Sequence, residues 1–112
     1  MKLNELVDRI YIDPRKLTAY ALNPQNERGK DKAYVFRQTL GYTQDNYEQL
    51  LTQIEMKALA AEAVVQHRDA FGQRVRVDLE IEGVAGQLAI VRTGWLIPPD
   101  GSEAQLMTLY VR

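Results

Sequence analysis

The chain has no cysteine, one histidine, one tryptophan and two phenylalanines among its 112 residues. Without cysteine there is no disulfide framework and no thiolate metal site, and a reducing compartment fits. A lone histidine, His67, cannot build a histidine-cluster metal site. Long apolar runs are also missing: none approaches the roughly 20 residues of a membrane-spanning helix. The opening stretch MKLNELVDRI carries charges throughout and does not read as a signal peptide. Neither sign of charge is in excess. Fourteen Lys and Arg against fifteen Asp and Glu leave a formal net charge of −1, so bulk charge announces no nucleic-acid binder. There is no Walker loop, GxSxG, HExxH or GxGxxG. The expectation from these absences is a cytoplasmic protein with no cofactor, no metal and no membrane attachment.

What is present belongs to one globular domain spanning residues 1–112. Hydrophobic residues make up 46% and charged residues 26%. A chain of this length buries roughly two-thirds of its unfolded surface. Leu3, Leu6, Val7 and Ile10 recur at helical spacing, and Tyr11-Ile12 leads in as an extended segment. Asp13-Pro14 starts a helix running to Leu22, because a carboxylate caps free amides and proline at the first position forfeits no bond. Asn23-Pro24 stops it. Its inward stripe is Leu17, Tyr20 and Ala21. After the polar loop PQNERG, a second helix spans roughly Lys30 to Leu40, with Ala33, Phe36 and Leu40 inward and Gly41 as a left-handed cap. Thr43 caps a third. Its stripe, Tyr47, Leu50, Leu51, Ile54, Ala58, Ala61 and Val65, is the strongest periodic signal of the chain, and its exit, Val64 to Arg68, reads either as the helix end or as a strand. Leu50, Leu51 and Ile54 should dock it on a sheet.

From Gln73 the period changes to two. Val75, Val77, Leu79 and Ile81 alternate with charged residues, as in a half-solvated antiparallel strand. Gly83 to Gly86 reads as a hairpin loop. Gln87 to Ile97 is a central strand that looks covered on both faces, and Gln105 to Val111 is a last strand. The predicted class is α+β: N-terminal helices packed on a C-terminal antiparallel meander sheet of three to four strands.

The candidate chemistry is sparse. Arg92 stands in the middle of the central strand, where a charge needs a partner or a task. Two readings remain open: an ion pair with Asp78, Glu80 or a helix carboxylate, or a two-point phosphate ligand of catalytic importance. Thr93 and Thr108 carry hydroxyls suited to a phosphate, and Thr108 also suits an assisting catalytic role. Threonine is equally a common strand residue. Trp95 offers a base-stacking ring, although core is the commoner place for a lone tryptophan. Arg28, Lys30 and Lys32 gather at the start of the second helix, where cations oppose the helix dipole and a bound anion would resolve the conflict. Asp31 partly neutralises them. His67 is a general base by chemistry, or a surface histidine at an element boundary.

The ordered set Asp13-Pro14-Arg15-Lys16-Leu17, Leu22-Asn23-Pro24, Gly29-Lys30-Asp31-Lys32-Ala33, Val35-Phe36, Leu40-Gly41, Val91-Arg92-Thr93-Gly94-Trp95 and Leu106-Met107-Thr108 resembles a bacterial family of uncharacterised domains. That resemblance covers nearly the whole chain. It implies a domain found alone or at the end of larger phage-like or toxin-like proteins. The order of elements is similar to the nuclease fold shared by barnase, EndoU, colicin and RelE-type toxins. A histidine pair and a central-strand glutamate, which a barnase-type acid–base mechanism requires, have no counterparts here.

Two classes of function follow. One is a small RNA-directed, metal-independent nuclease or nuclease-derived toxin. In it Arg28, Lys30, Lys32 and Thr93 hold phosphate, and Arg92, His67 and Thr108 serve catalysis. It requires these side chains to converge in one cleft. The other is a non-catalytic interaction module that pairs with a small antitoxin-like neighbour or with itself through the last strand. It requires an exposed apolar patch or sheet edge.

Overall fold

A computed structural model describes residues 1–112. The elements that follow the loops are those their patterns dictate. Two α-helices, α1 (Lys30–Leu40) and α2 (Tyr47–Lys57), precede a meander of β2 (Ala63–Asp69), β3 (Gly72–Glu82), β4 (Leu88–Ile97) and β5 (Glu103–Val111). A fifth strand comes from the N-terminal region. This is β1 (Arg9–Tyr11), which pairs in parallel with Glu103–Gln105 of β5. The sheet order is β1-β5-β4-β3-β2, and all pairings except that of β1 are antiparallel. Three residues are too few to show a period of two, which hides β1 in the sequence.

Register puts Val75, Val77, Leu79 and Ile81 of β3 beside Val91, Thr93, Trp95 and Ile97 of β4 on one face, and all are buried. Phe36 and Leu40 of α1, Leu50 and Ile54 of α2, and Leu17 and Ala21 pack onto that face in one core cluster of 22 residues. Each such leucine contributes roughly 1.5–3 kcal/mol by leaving water. α1 spans the expected residues and ends at Gly41, whose φ of 78° is the left-handed cap position. No helix is long and apolar enough to cross a membrane.

Four local expectations need correction. The first helical segment is a single wide turn, Lys16–Ala21, closed by i+5 bonding from the Leu22 amide to the Leu17 carbonyl (2.8 Å). α2 begins at Tyr47 with Asn46 as its N-cap: the Thr43 hydroxyl accepts from the Asp45 amide (3.2 Å) in a turn that precedes the helix, and the Asn46 side chain ties that turn back to the Thr43 amide (2.7 Å) and to the Gly41 carbonyl (3.0 Å). α2 stops at Lys57, so Val65 lies on β2 and is exposed, while Leu51 sits at the rim of the core. The second face of β4 is uncovered: Leu88 is 62% and Ile90 37% exposed. The helices cover only one side of the sheet.

Candidate functional site

The half of β5 that has no neighbouring strand on one side is where polar side chains from separate elements meet. β1 pairs only with Glu103–Gln105, so β5 beyond Gln105 has no strand on that side. The wide turn and α1 stand there instead. Tyr20 from the turn, Lys32 from the first turn of α1 and Thr108 from β5 form a closed hydrogen-bonded cluster. The Lys32 ammonium donates to the Tyr20 hydroxyl and to Thr108 Oγ1 (3.1 Å), and the two hydroxyls lie 3.4 Å apart. Lys32 Nζ also stands 4.7 Å from the centre of the Tyr20 ring and 5.6 Å from that of Tyr110.

Local structure explains the meeting. Asn26 Oδ1 accepts from the amides of Arg28 and Gly29 (2.9 Å each), and its Nδ2 donates to the Ala19 carbonyl (3.1 Å). The loop is thereby tied to the wide turn as α1 begins. Gly29, the residue before α1, is buried, and a Cβ there would lie 2.0 Å from the Tyr20 carbonyl oxygen. Only glycine lets α1 start this close to Tyr20.

The electrostatics are unusual for a structural contact. Lys32 is half-buried, and no carboxylate lies within ion-pair distance of it. Its partners are neutral hydroxyls. Burial pushes the Tyr20 phenol up. The Lys32 and Thr108 hydrogen bonds and the charges of Lys32 and Arg28 outweigh it and hold the phenol below the usual tyrosine value. On one side of the cluster opens a cleft of about 620 Å³, lined by Asp13, Arg15, Lys16, Tyr20, Asn26, Arg28 and Met107. On the other, Lys32, Val35 and Tyr110 line a smaller one of about 290 Å³. Asp13 is occupied by Arg15 (2.6 Å), which leaves Lys16 and Arg28 without carboxylate partners in the larger cleft. A half-buried cation thus stands between two clefts, the larger of them lined by Lys16, Arg28 and the Asp13–Arg15 pair.

The residues singled out from the sequence divide as follows. Lys32, Thr108 and Arg28 converge here. Lys30 does not: it lines a separate groove of about 710 Å³ with Asp31, Tyr34 and Arg37. A helix turns about 100° per residue, so neighbouring basic positions cannot all face one ligand. Arg92 takes the ion-pair alternative. Its Nε and Nη2 donate to both oxygens of Asp78 (2.9 and 3.1 Å), and Arg112 adds a third contact at 3.3 Å. Asp78 first, and the Tyr110 hydroxyl second, raise the guanidinium's affinity for its proton. Thr93 is fully buried. Its hydroxyl donates to the Val77 carbonyl (2.6 Å) and accepts from Trp95 Nε1 (2.7 Å). Phosphate binding by Thr93 and base stacking on Trp95, which is 1% exposed, are therefore corrected to core roles. His67 lies on β2, with β3 and β4 between it and β5, and it is 72% exposed beside Asp69 (3.6 Å). It cannot act at the cluster. No group of three or more His, Asp or Glu side chains is placed to hold a metal ion.

Sequence reasoning missed Tyr20 as a site residue, along with Arg15, Lys16 and Asn26. Tyr20 falls on the inward stripe of its turn, and periodicity cannot tell a core aromatic from one whose hydroxyl reaches a ligand. The available signal was Gly29, an uncapped glycine heading a helix where Ser, Thr, Asp or Asn is usual.

No curated protein matches the chain. Its fold is shared by a chain of the contact-dependent growth inhibition toxin–immunity protein complex from Klebsiella pneumoniae 342. That chain has 15% identity and a TM-score of 0.69, with 90% of this chain and 92% of that one covered. The sequence pattern of the domain of unknown function DUF6883 matches residues 2–112, and the chain belongs to that family.

Proposed function

We propose that this is a toxin-like domain that binds single-stranded RNA across the edge of β5 and cleaves it, taking one phosphate at the Tyr20–Lys32–Thr108 cluster. The observation that carries the reading is the half-buried Lys32 ammonium, held by two hydroxyls with no countercharge. A partly desolvated cation is costly without an anion, and a phosphate supplies one. The clefts on either side leave room for flanking nucleotides, and Arg28 and Lys16 suit the next phosphate in the larger cleft. The shared fold with a chain of a toxin–immunity complex supports the toxin-like part.

The test is incubation of the purified domain with a labelled single-stranded RNA, alongside induced expression in a bacterial host. Cleavage and growth arrest are expected, and both should be lost in Lys32→Ala. A domain that neither binds nor cuts RNA and does not slow growth would overturn the reading. A second reading has its own support. Beyond Ala63, whose amide donates to the Met1 carbonyl (2.7 Å), no strand pairs with the outer edge of β2, and Val64 and Val65 on it and Phe71 in the following turn are exposed, which suits a non-catalytic module paired with a small partner protein. Protection of cells from a neighbouring toxin, in place of toxicity, is what that reading expects.

A further inference from the structure

We infer that Tyr20 is the proton acceptor for RNA cleavage by attack of the ribose 2′-hydroxyl on the adjacent phosphorus, an assignment that rests on the nuclease reading above. The cluster has the parts such a step needs and lacks the usual ones. His67 lies across the sheet, and no carboxylate is bonded to Lys32, Tyr20 or Thr108. Tyr20 is the titratable oxygen that touches both the phosphate-binding lysine and the threonine. It also lines the larger cleft, where the sugar preceding the scissile phosphate would lie.

The groups facing the phenol favour its ionised form. Lys32 approaches from α1 and Arg28 from the loop before it, while Lys16 and the Asp13–Arg15 ion pair, whose charges offset each other, line the same cleft. Thr108 approaches from β5 and is neutral.

In the step, the Tyr20 phenolate takes the 2′-hydroxyl proton and the 2′-oxygen forms a bond to phosphorus. The bond from phosphorus to the 5′-oxygen breaks, and that oxygen leaves with a proton from solvent water, to which the cleft is open. Lys32 and the Thr108 hydroxyl hold the non-bridging oxygen as charge builds on it. The products are a 2′,3′-cyclic phosphate and a 5′-hydroxyl end. Tyr20 then returns its proton to water. No oxidant, reductant or further co-reactant is needed.

The experiment compares wild type, Tyr20→Phe, Lys32→Gln and Thr108→Val on one RNA oligonucleotide and on the same oligonucleotide with a single 2′-deoxy sugar at the cut. Circular dichroism confirms folding of each variant. Wild type should yield the cyclic phosphate and leave the deoxy substrate uncut. Tyr20→Phe should bind RNA more weakly, since Lys32 loses one of its partners, but at saturating RNA it should still cleave about 10²–10⁴-fold more slowly than wild type, the usual contribution of a positioned proton acceptor. The wild-type rate should rise with pH through a single group titrating below the ordinary tyrosine range. In Lys32→Gln that limb should move to higher pH, a shift that loss of binding alone does not produce. Wild-type cleavage retained in Tyr20→Phe, cleavage of the deoxy substrate, or a 5′-phosphate product overturns this assignment alone. A wild-type domain that binds RNA without cutting it overturns the nuclease reading together with it.

Discussion

At the scale of single residues, the site depends on an absent side chain as much as on those present. Gly29→Ala places a methyl group where the Tyr20 carbonyl already stands, 2.0 Å from it, so α1 must move away. Overpacking of this kind costs about 1–3 kcal/mol. It also draws Lys32 from Tyr20, so RNA affinity should fall in Gly29→Ala more than its loss of stability explains, as filter binding well below the melting temperature would show. Unchanged affinity would count against the cluster as the phosphate site. Arg92→Ala should do the reverse. It leaves Asp78 with Arg112 alone at 3.3 Å, so the thermal midpoint should drop while RNA binding stays within about twofold, a change small beside the tenfold that 1.4 kcal/mol produces. Part of this was legible in advance. A mid-strand arginine required an acceptor, and Asp78 was among the named candidates. The hydroxyl of Tyr20 was not legible, because residue type and spacing describe where a ring packs and say nothing of which atoms meet at its far end.

At the scale of elements, the same contrast recurs. The course and the end of α1 were readable because Ala33, Phe36 and Leu40 spell its buried stripe and Gly41 its stop. The start of α2 was not. Thr43 and Asn46 both have capping chemistry, and the choice between them depends on Asn46 Nδ2 reaching the Gly41 carbonyl (3.0 Å). β3 shows its alternation plainly, whereas β4 reads as covered twice although its Leu88 and Ile90 face solvent. An apolar pattern states a preference for burial, and the number of available helices limits how much of that preference is met. The α2 stripe can be tested by depth. Leu50→Ala should destabilise the fold by about 2–5 kcal/mol, and Leu51→Ala by less than half as much, since a rim site relaxes more easily than a sealed one. Equal losses in chemical denaturation would show that both leucines are sealed in the core.

At the scale of the whole molecule, ion pairs on the sheet and its margins set the response to acid. Arg15 holds the Asp13 carboxyl down at about 2, Arg74 lowers that of Asp69, and Arg92 lowers that of Asp78. Carboxylates depressed in the folded state stabilise it fully above their unfolded value, about 3.9 for aspartate. That contribution disappears as pH falls through the folded values. Thermal midpoints should therefore be level from neutrality to about pH 5 and fall below about pH 4, with a shallower fall in Asp78→Asn. A midpoint that stays level down to about pH 2 would sink the argument. The pairing of β1 with β5 has a different consequence, which concerns synthesis. Arg9 lies opposite Glu103, and Tyr20 bonds to Thr108 across 88 positions of sequence. Contacts that distant form only after the intervening chain exists. A nascent chain halted before Thr108 holds Arg15, Lys16, Tyr20, Arg28 and Lys32, yet the third member of the cluster is missing. A ribosome making this domain would thus carry an unassembled site until β5 emerges, and the Tyr20–Lys32–Thr108 cluster would close only then.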